Sequence, residues 1–161
     1  MRHVSKLFPT TSLASKRSGS RAHFCNIAEG QAITGNKSYL PDFAIANRHT
    51  LVVPGSSPYN IAPGSVNTEI PLGICTDSAE ATGLDVPVNV ALLGCSRGTL
   101  KVLLGGTVNA GDFLQSNGDG TAIKLITTTG TFYIVGRALQ SGVAGDTIEF
   151  AHTFPLKIVN P

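Results

Sequence analysis

Apolar and polar residues alternate in short runs along the second half of the chain, and glycine breaks the runs. In "VPVNVALL", Val86, Val88, Val90 and Leu92 fall on one side and Asn89 on the other. "TLKVLL" puts Leu100, Val102 and Leu104 together and Lys101 opposite. "TAIKLI" groups Ile123 with Leu125 and turns Lys124 away. "TFYIVGRAL" follows, and "DTIEF" aligns Ile148 with Phe150. The separators "GCSRG", "GGTVNAGD", "SNGDG" and "SGVAGD" recur about every ten residues, the spacing of strands and turns in a barrel or sandwich.

The first half reads less evenly. "FAIANRHTLVV" predicts a strand from Phe43, closed by the loop "PGSSPYNIAPGS", and "TEIPLGICTD" is a second apolar run. "DSAE" sets Glu80 three residues after Asp77, a capping-box spacing with Gly83 beyond, and predicts one or two helical turns. Residues 1–40 sustain neither a period of 2 nor one of 3.6. The expected fold is therefore all-β, a small β-barrel or sandwich with a long extended N-terminal arm. Its expected parts are a basic arm over residues 1–42 and a body over 43–161.

Charge sharpens this division. Residues 1–50 hold seven Lys or Arg against two acids, a net of +5; residues 51–161 hold five against eight, a net of −3. Arg2, Lys6, Lys16, Arg17 and Arg21 meet no acid before Glu29. The opening residues are also serine-rich, as in a mitochondrial transit peptide. A segment that buries so little does not offset roughly 1–2 kcal/mol of backbone entropy per residue, so its order is expected to come from a partner. Its apolar residues are spaced to enter pockets one at a time along an extended path. The expected contacts are Arg2, Lys6, Leu7, Phe8, Leu13, Lys16, Arg17, Arg21 and Phe24. Forty extended residues reach on the order of 130 Å.

Composition removes several function classes. No apolar run approaches the roughly 20 residues of a membrane helix. Charged residues are only 14% and Trp is absent, which suits a subunit that hides surface against neighbours. Cys25, Cys75 and Cys95 are odd in number and lack a CxxC spacing, so a disulfide framework is not expected; Cys75 and Cys95 read as buried small hydrophobes. Basic residues in the arm invite nucleic acid, but few aromatics accompany them and the acidic body opposes a phosphate backbone.

The chemical motifs are weak. Around "NGDG", a calcium loop would place Asn117, Asp119 and Gly120 correctly, yet its first and twelfth positions hold Gln115 and Ile126, where acids are required. "LGGTVNAGD" lacks the Gly-Lys-Ser/Thr of a phosphate loop. "AGDFL" and "AGDTI" resemble turns of biotinyl and lipoyl domains, but the nearby Lys124 falls mid-strand without the flanking Met. His3, His23, His49 and His152 are scattered, and no nucleophile elbow is present. No catalytic, metal or cofactor residue is assigned, and an enzyme is not expected. The Gly-Asp pairs read as turn chemistry: Gly supplies the geometry, and Asp accepts hydrogen bonds from nearby backbone N–H groups.

From Ile70 to His152 the order of motifs resembles the small capsid decoration, or cement, proteins of tailed bacteriophages. The order is "PLG", "TD", a strand ending "LLG", "GG-V-AGD-L", a polar Gly-Asp hairpin, "VGRAL" and "AGD-IEF". The resemblance covers about half the chain and rests on turns and strands. It implies a β-barrel subunit, usually trimeric, on the outside of a virion's icosahedral shell. Such a subunit is made in the host cytoplasm, and its partners are the major capsid protein and sister copies. The long basic arm departs from compact members. Two alternatives stay open: a receptor- or glycan-binding head-surface module using Tyr39 and Tyr59, and a biotinyl- or lipoyl-like domain.

Overall fold

The computed structural model of the chain describes residues 35–160, apart from 82, 83 and 127. Among these there are ten strands and no helix. Five strands close a barrel in the order β1 (Asn36–Pro41), β3 (Asn60–Pro63), β2 (Thr50–Pro54), β4 (Gly73–Cys75) and β5 (Val88–Leu92). Pairing of β5 with β1, Val88 opposite Tyr39, shuts it. All its ladders are antiparallel except β1 with β3. The other five form an antiparallel sheet in the order β6 (Leu100–Leu103), β10 (Thr147–Asn160), β9 (Gly130–Ala138), β7 (Phe113–Ser116) and β8 (Ala122–Lys124). The all-β expectation is met.

Two cores follow from the alternation. Val52, Ile61, Cys75, Val88 and Val90 fill the barrel with Tyr39 and Ile45. Leu51 and Ile74, next to Val52 and Cys75, point the other way and join Val102, Leu114, Val135, Ile148 and Phe150 between barrel and sheet. Strands β2 and β4 are thus buried on both faces, which is why "TLVV" and "GIC" are continuous apolar runs. Backbone bonds stitch the layers together: Leu51 N–H donates to Gly120 O at 2.7 Å and Leu103 N–H to His49 O at 3.0 Å.

Several boundaries differ from the sequence reading. The body includes β1, so it begins by residue 36 and not at 43. "NKSYLP" buries few apolar side chains and is held by ladders on both edges, so its apolar pattern was too slight to show. The strand predicted from Phe43 starts only at Thr50. Phe43 is exposed, Ile45 is buried through a lone bridge to Ala79, and His49 turns the chain with φ 66°. "DSAE" forms no helix, because no apolar stripe follows its capping pattern. Asp77 instead accepts the Asn89 N–H at 2.9 Å, and Ala79 is committed to Ile45. Val86 lies exposed before β5.

Candidate interaction surface

The two Ala-Gly-Asp stretches fold alike. In 109–112 and 143–146 the glycine takes positive φ, 92° at Gly111 and 90° at Gly145. The aspartate then accepts the N–H three residues earlier: Asn109 to Asp112 and Val143 to Asp146, each at 2.9 Å. A side chain disfavours such a φ, so glycine is the residue that fits. The turns lie side by side, since Val108 and Gly142 exchange both backbone bonds. The turn reading of these motifs is correct.

The same use of carboxylates recurs elsewhere. Asp42 accepts from Asn60 Nδ2, from Ser56 N–H at 2.5 Å and from Ser56 Oγ at 2.9 Å. The Asn60 bond, then the Ser56 N–H, holds its carboxyl below the usual range. Glu69 accepts from Ser65 N–H at 2.8 Å and Val66 N–H at 3.3 Å, and the Ser65 bond leads in lowering it. Asp112 is lowered first by the Asn109 N–H and then by Lys124, 3.0 Å away. Asp119 closes the hairpin between β7 and β8 by accepting from Thr121 N–H at 2.9 Å and Asn117 Nδ2 at 3.1 Å. A carboxylate held low by backbone donors is a weak base near neutral pH. These groups fix loops. Lys124 sits in β8 on Asp112 and not at the hairpin tip, which a carried cofactor would need.

Histidine and cysteine are likewise dispersed. Burial, then Arg48 and Lys101, keeps His49 below the ordinary imidazole range. His152 Nδ1 accepts the Gly94 N–H at 2.9 Å, tying β10 to the barrel. Burial pushes the Cys75 thiol up, as expected of a small core residue. Cys95 is exposed, against expectation, because it lies in the turn after β5 rather than in an apolar strand. No cluster of three His, Cys, Asp or Glu forms among the described residues.

What the surface offers is apolar. Phe43, Tyr59, Val66 and Ile70 are exposed in the loops around the barrel, and Phe43 rims an open groove of about 690 Å³ floored by Val53, Pro54, Ala62 and Pro63. Phe154, Leu156 and Val159 are exposed on the last half of β10, at 62%, 56% and 61%. Tyr39, an expected loop contact, is buried in β1 beneath the Lys37 ammonium, 5.0 Å from its ring; Tyr59 is exposed as expected. The expected arm contacts Arg2, Lys6, Leu7, Phe8, Leu13, Lys16, Arg17, Arg21 and Phe24 lie outside the described residues. The β10 extension escaped the sequence reading, although Phe154, Leu156 and Ile158 continue the alternation of Ile148 and Phe150. Pro155 masked it by demoting the run. The structure places that proline in the register shift between His152 and Leu156.

No family model matches the chain, and no curated protein matches it. A solved structure does. The fold is similar to the crystal structure of the head fiber gp8.5 N base in bacteriophage phi29, with a TM-score of 0.56. The likeness covers 74% of this chain and 94% of that one, at 19% identity. At that identity it shows a shared fold.

Proposed function

We propose that this chain is a structural protein of a phage head, which binds the outer surface of the capsid and reinforces contacts between major capsid subunits. The observation that carries the reading is the fold shared with the base of a phage head fiber over nearly all of that chain. It agrees with the order of turns and strands that resembles decoration proteins. The placement of polar groups supports it as well, since the carboxylates of the loops are spent on turns while the exposed residues include a dozen large apolar side chains. A protein of this kind has no reaction to run. It binds the assembled shell better than its parts, and mass action stabilises what it binds. We take sister copies, most simply three, to be its second partner.

The same likeness favours a second reading, in which the body is the foot of a projecting fiber and adds nothing to shell strength. One experiment separates the two. Purified protein is added to heads that lack it, bound protein is measured by cosedimentation, and the thermal or osmotic rupture of the heads is recorded. Reinforcement predicts saturable binding together with a higher rupture threshold. Binding with an unchanged threshold selects the foot. No binding to heads from any host sinks both and returns the glycan-binding reading, with Tyr59 and Phe43 as its aromatics.

A further inference from the structure

The tail of β10, residues 151–160, carries apolar side chains that the body does not cover. β6 ends its pairing at Leu100 opposite Phe150. Beyond it, among the described residues, only β9 accompanies β10, as far as Asn160 opposite Gly130. Phe154, Leu156 and Val159 are exposed there. The tail is nonetheless held in place. His152 accepts the Gly94 N–H, and the Phe154 ring lies so close over Gly94 that a Cβ there would come within 2.5 Å of it. It is a fixed apolar surface, and little ordering entropy opposes its binding.

What it offers a partner is side chains more than a strand edge. Pro155 has no N–H to give, and it sits in the register shift between His152 and Leu156. Both features blunt an edge against strand addition. Charge narrows the partner further. Lys157 is the sole charged residue among 151–160. A two-fold pairing of two tails sets one Lys157 toward the other, with no acid in either tail to offset them. The surface that complements the tail is apolar and acidic.

The groove rimmed by Phe43 is such a surface. Its floor is Val53, Pro54, Ala62 and Pro63, Asp42 and Glu69 stand in its walls, and no Lys, Arg or His is among the described residues that line it. Both carboxyls lie below their ordinary range, so both are charged at neutral pH. At about 690 Å³ the groove holds several side chains. A second acidic groove, along Asp77, Glu80 and Val86, is smaller, at about 370 Å³. The residues lining the larger groove include none from β9 or β10, so groove and tail are separate patches of one surface. A contact between them in two copies is head to tail, and such contacts close rings.

We propose that the groove of one copy takes the β10 tail of the next, with Leu156 against the apolar floor and the long Lys157 side chain reaching the carboxylates of the walls. The inference rests on the reading that sister copies associate, and it names the surfaces that join them. Repeated around a ring, the contact joins the three copies taken above.

The test is analytical ultracentrifugation of the full-length protein in reducing buffer. Leu156→Asp spoils the tail alone, and Ala62→Arg fills the groove alone. Wild-type protein should sediment as three chains and each variant by itself as one. An equal mixture of the variants should restore association and stop at two chains. In it the sound tail of the Ala62→Arg copy meets the sound groove of the Leu156→Asp copy. An assembly that survives either substitution overturns the proposal and leaves the sister-copy reading standing. A mixture that stays monomeric also overturns it, in favour of a symmetric contact. Wild-type protein that is monomeric at every concentration overturns both the proposal and the sister-copy reading. Val159→Asp and Phe43→Lys, read the same way, replace any variant that circular dichroism shows to be unfolded.

Discussion

Gly145 isolates what a turn residue contributes. Its φ is 90°, and a Cβ added there would meet nothing within 4 Å. Gly145→Ala therefore tests backbone conformation alone, and should cost about 1–2 kcal/mol in urea unfolding. Its neighbour Asp146 is tested by chemistry. Asp146→Ala should destabilise because the Val143 N–H loses its acceptor, and Asp146→Asn should recover most of the loss. Titration adds a signed expectation. Asp42, Glu69 and Asp112 all have folded pKa values below their ordinary values of 3.8, 4.5 and 3.8. The unfolded chain then binds more protons in that range, so their stabilisation is full above about pH 4.5 and fades as pH falls through the lowered values. His49 is also lowered, from 6.5. It adds a separate step of the same sign, complete above about pH 6.5 and lost below it. His49→Asn, which tolerates the positive φ, should remove that step from a plot of stability against pH and leave the acidic one. The turn role of Asp112 and Asp146 was readable from the Gly-Asp pairs, because it depends on neighbours three residues apart. The position of Asp42 between Ser56 and Asn60 was not, because it depends on the register of β1 against β3.

Strands read best where one face is buried. "TLKVLL" gave the buried Val102 and Leu104 and the exposed Lys101 correctly, since β6 has a core on one side. The pattern failed for β1, whose order comes from ladders on both edges, and for the tail of β10, where both faces of the strand carry exposed apolar residues. The energetic weight should follow the same division. Phe150 is fully buried between barrel and sheet, so Phe150→Ala should cost about 3–5 kcal/mol and lower the denaturation midpoint sharply. Phe43, at 65% exposed, should change the stability of the free protein by less than about 0.5 kcal/mol when replaced by Ala. If the two residues cost the same, the core between the layers is not what holds the sheet on the barrel.

For the whole molecule, the proposed attachment sets the arm's charges against its apolar residues. The body is net acidic and the arm net basic, so if the chain binds a shell as proposed, the arm is the part an acidic surface would draw. Exposed ion pairs contribute only about 0–1 kcal/mol each, and salt screens them over roughly 8–10 Å. They accelerate encounter more than they prolong attachment, whereas side chains buried in pockets govern release. Two sets of substitutions should therefore separate in kinetics. Replacing Arg2, Lys6, Lys16, Arg17 and Arg21 by Gln should slow association with heads and flatten its salt dependence, with little change in the rate of release. Replacing Leu7, Phe8 and Leu13 by Ser should leave association nearly intact and speed release several-fold. The body should stay folded in both, because its two cores are built from residues 39 to 150. Surface plasmon resonance on immobilised heads reads both rates directly. If the two sets change the same rate, or neither does, attachment runs through the exposed loops at Phe43, Tyr59 and Ile70, and the arm is not an anchor.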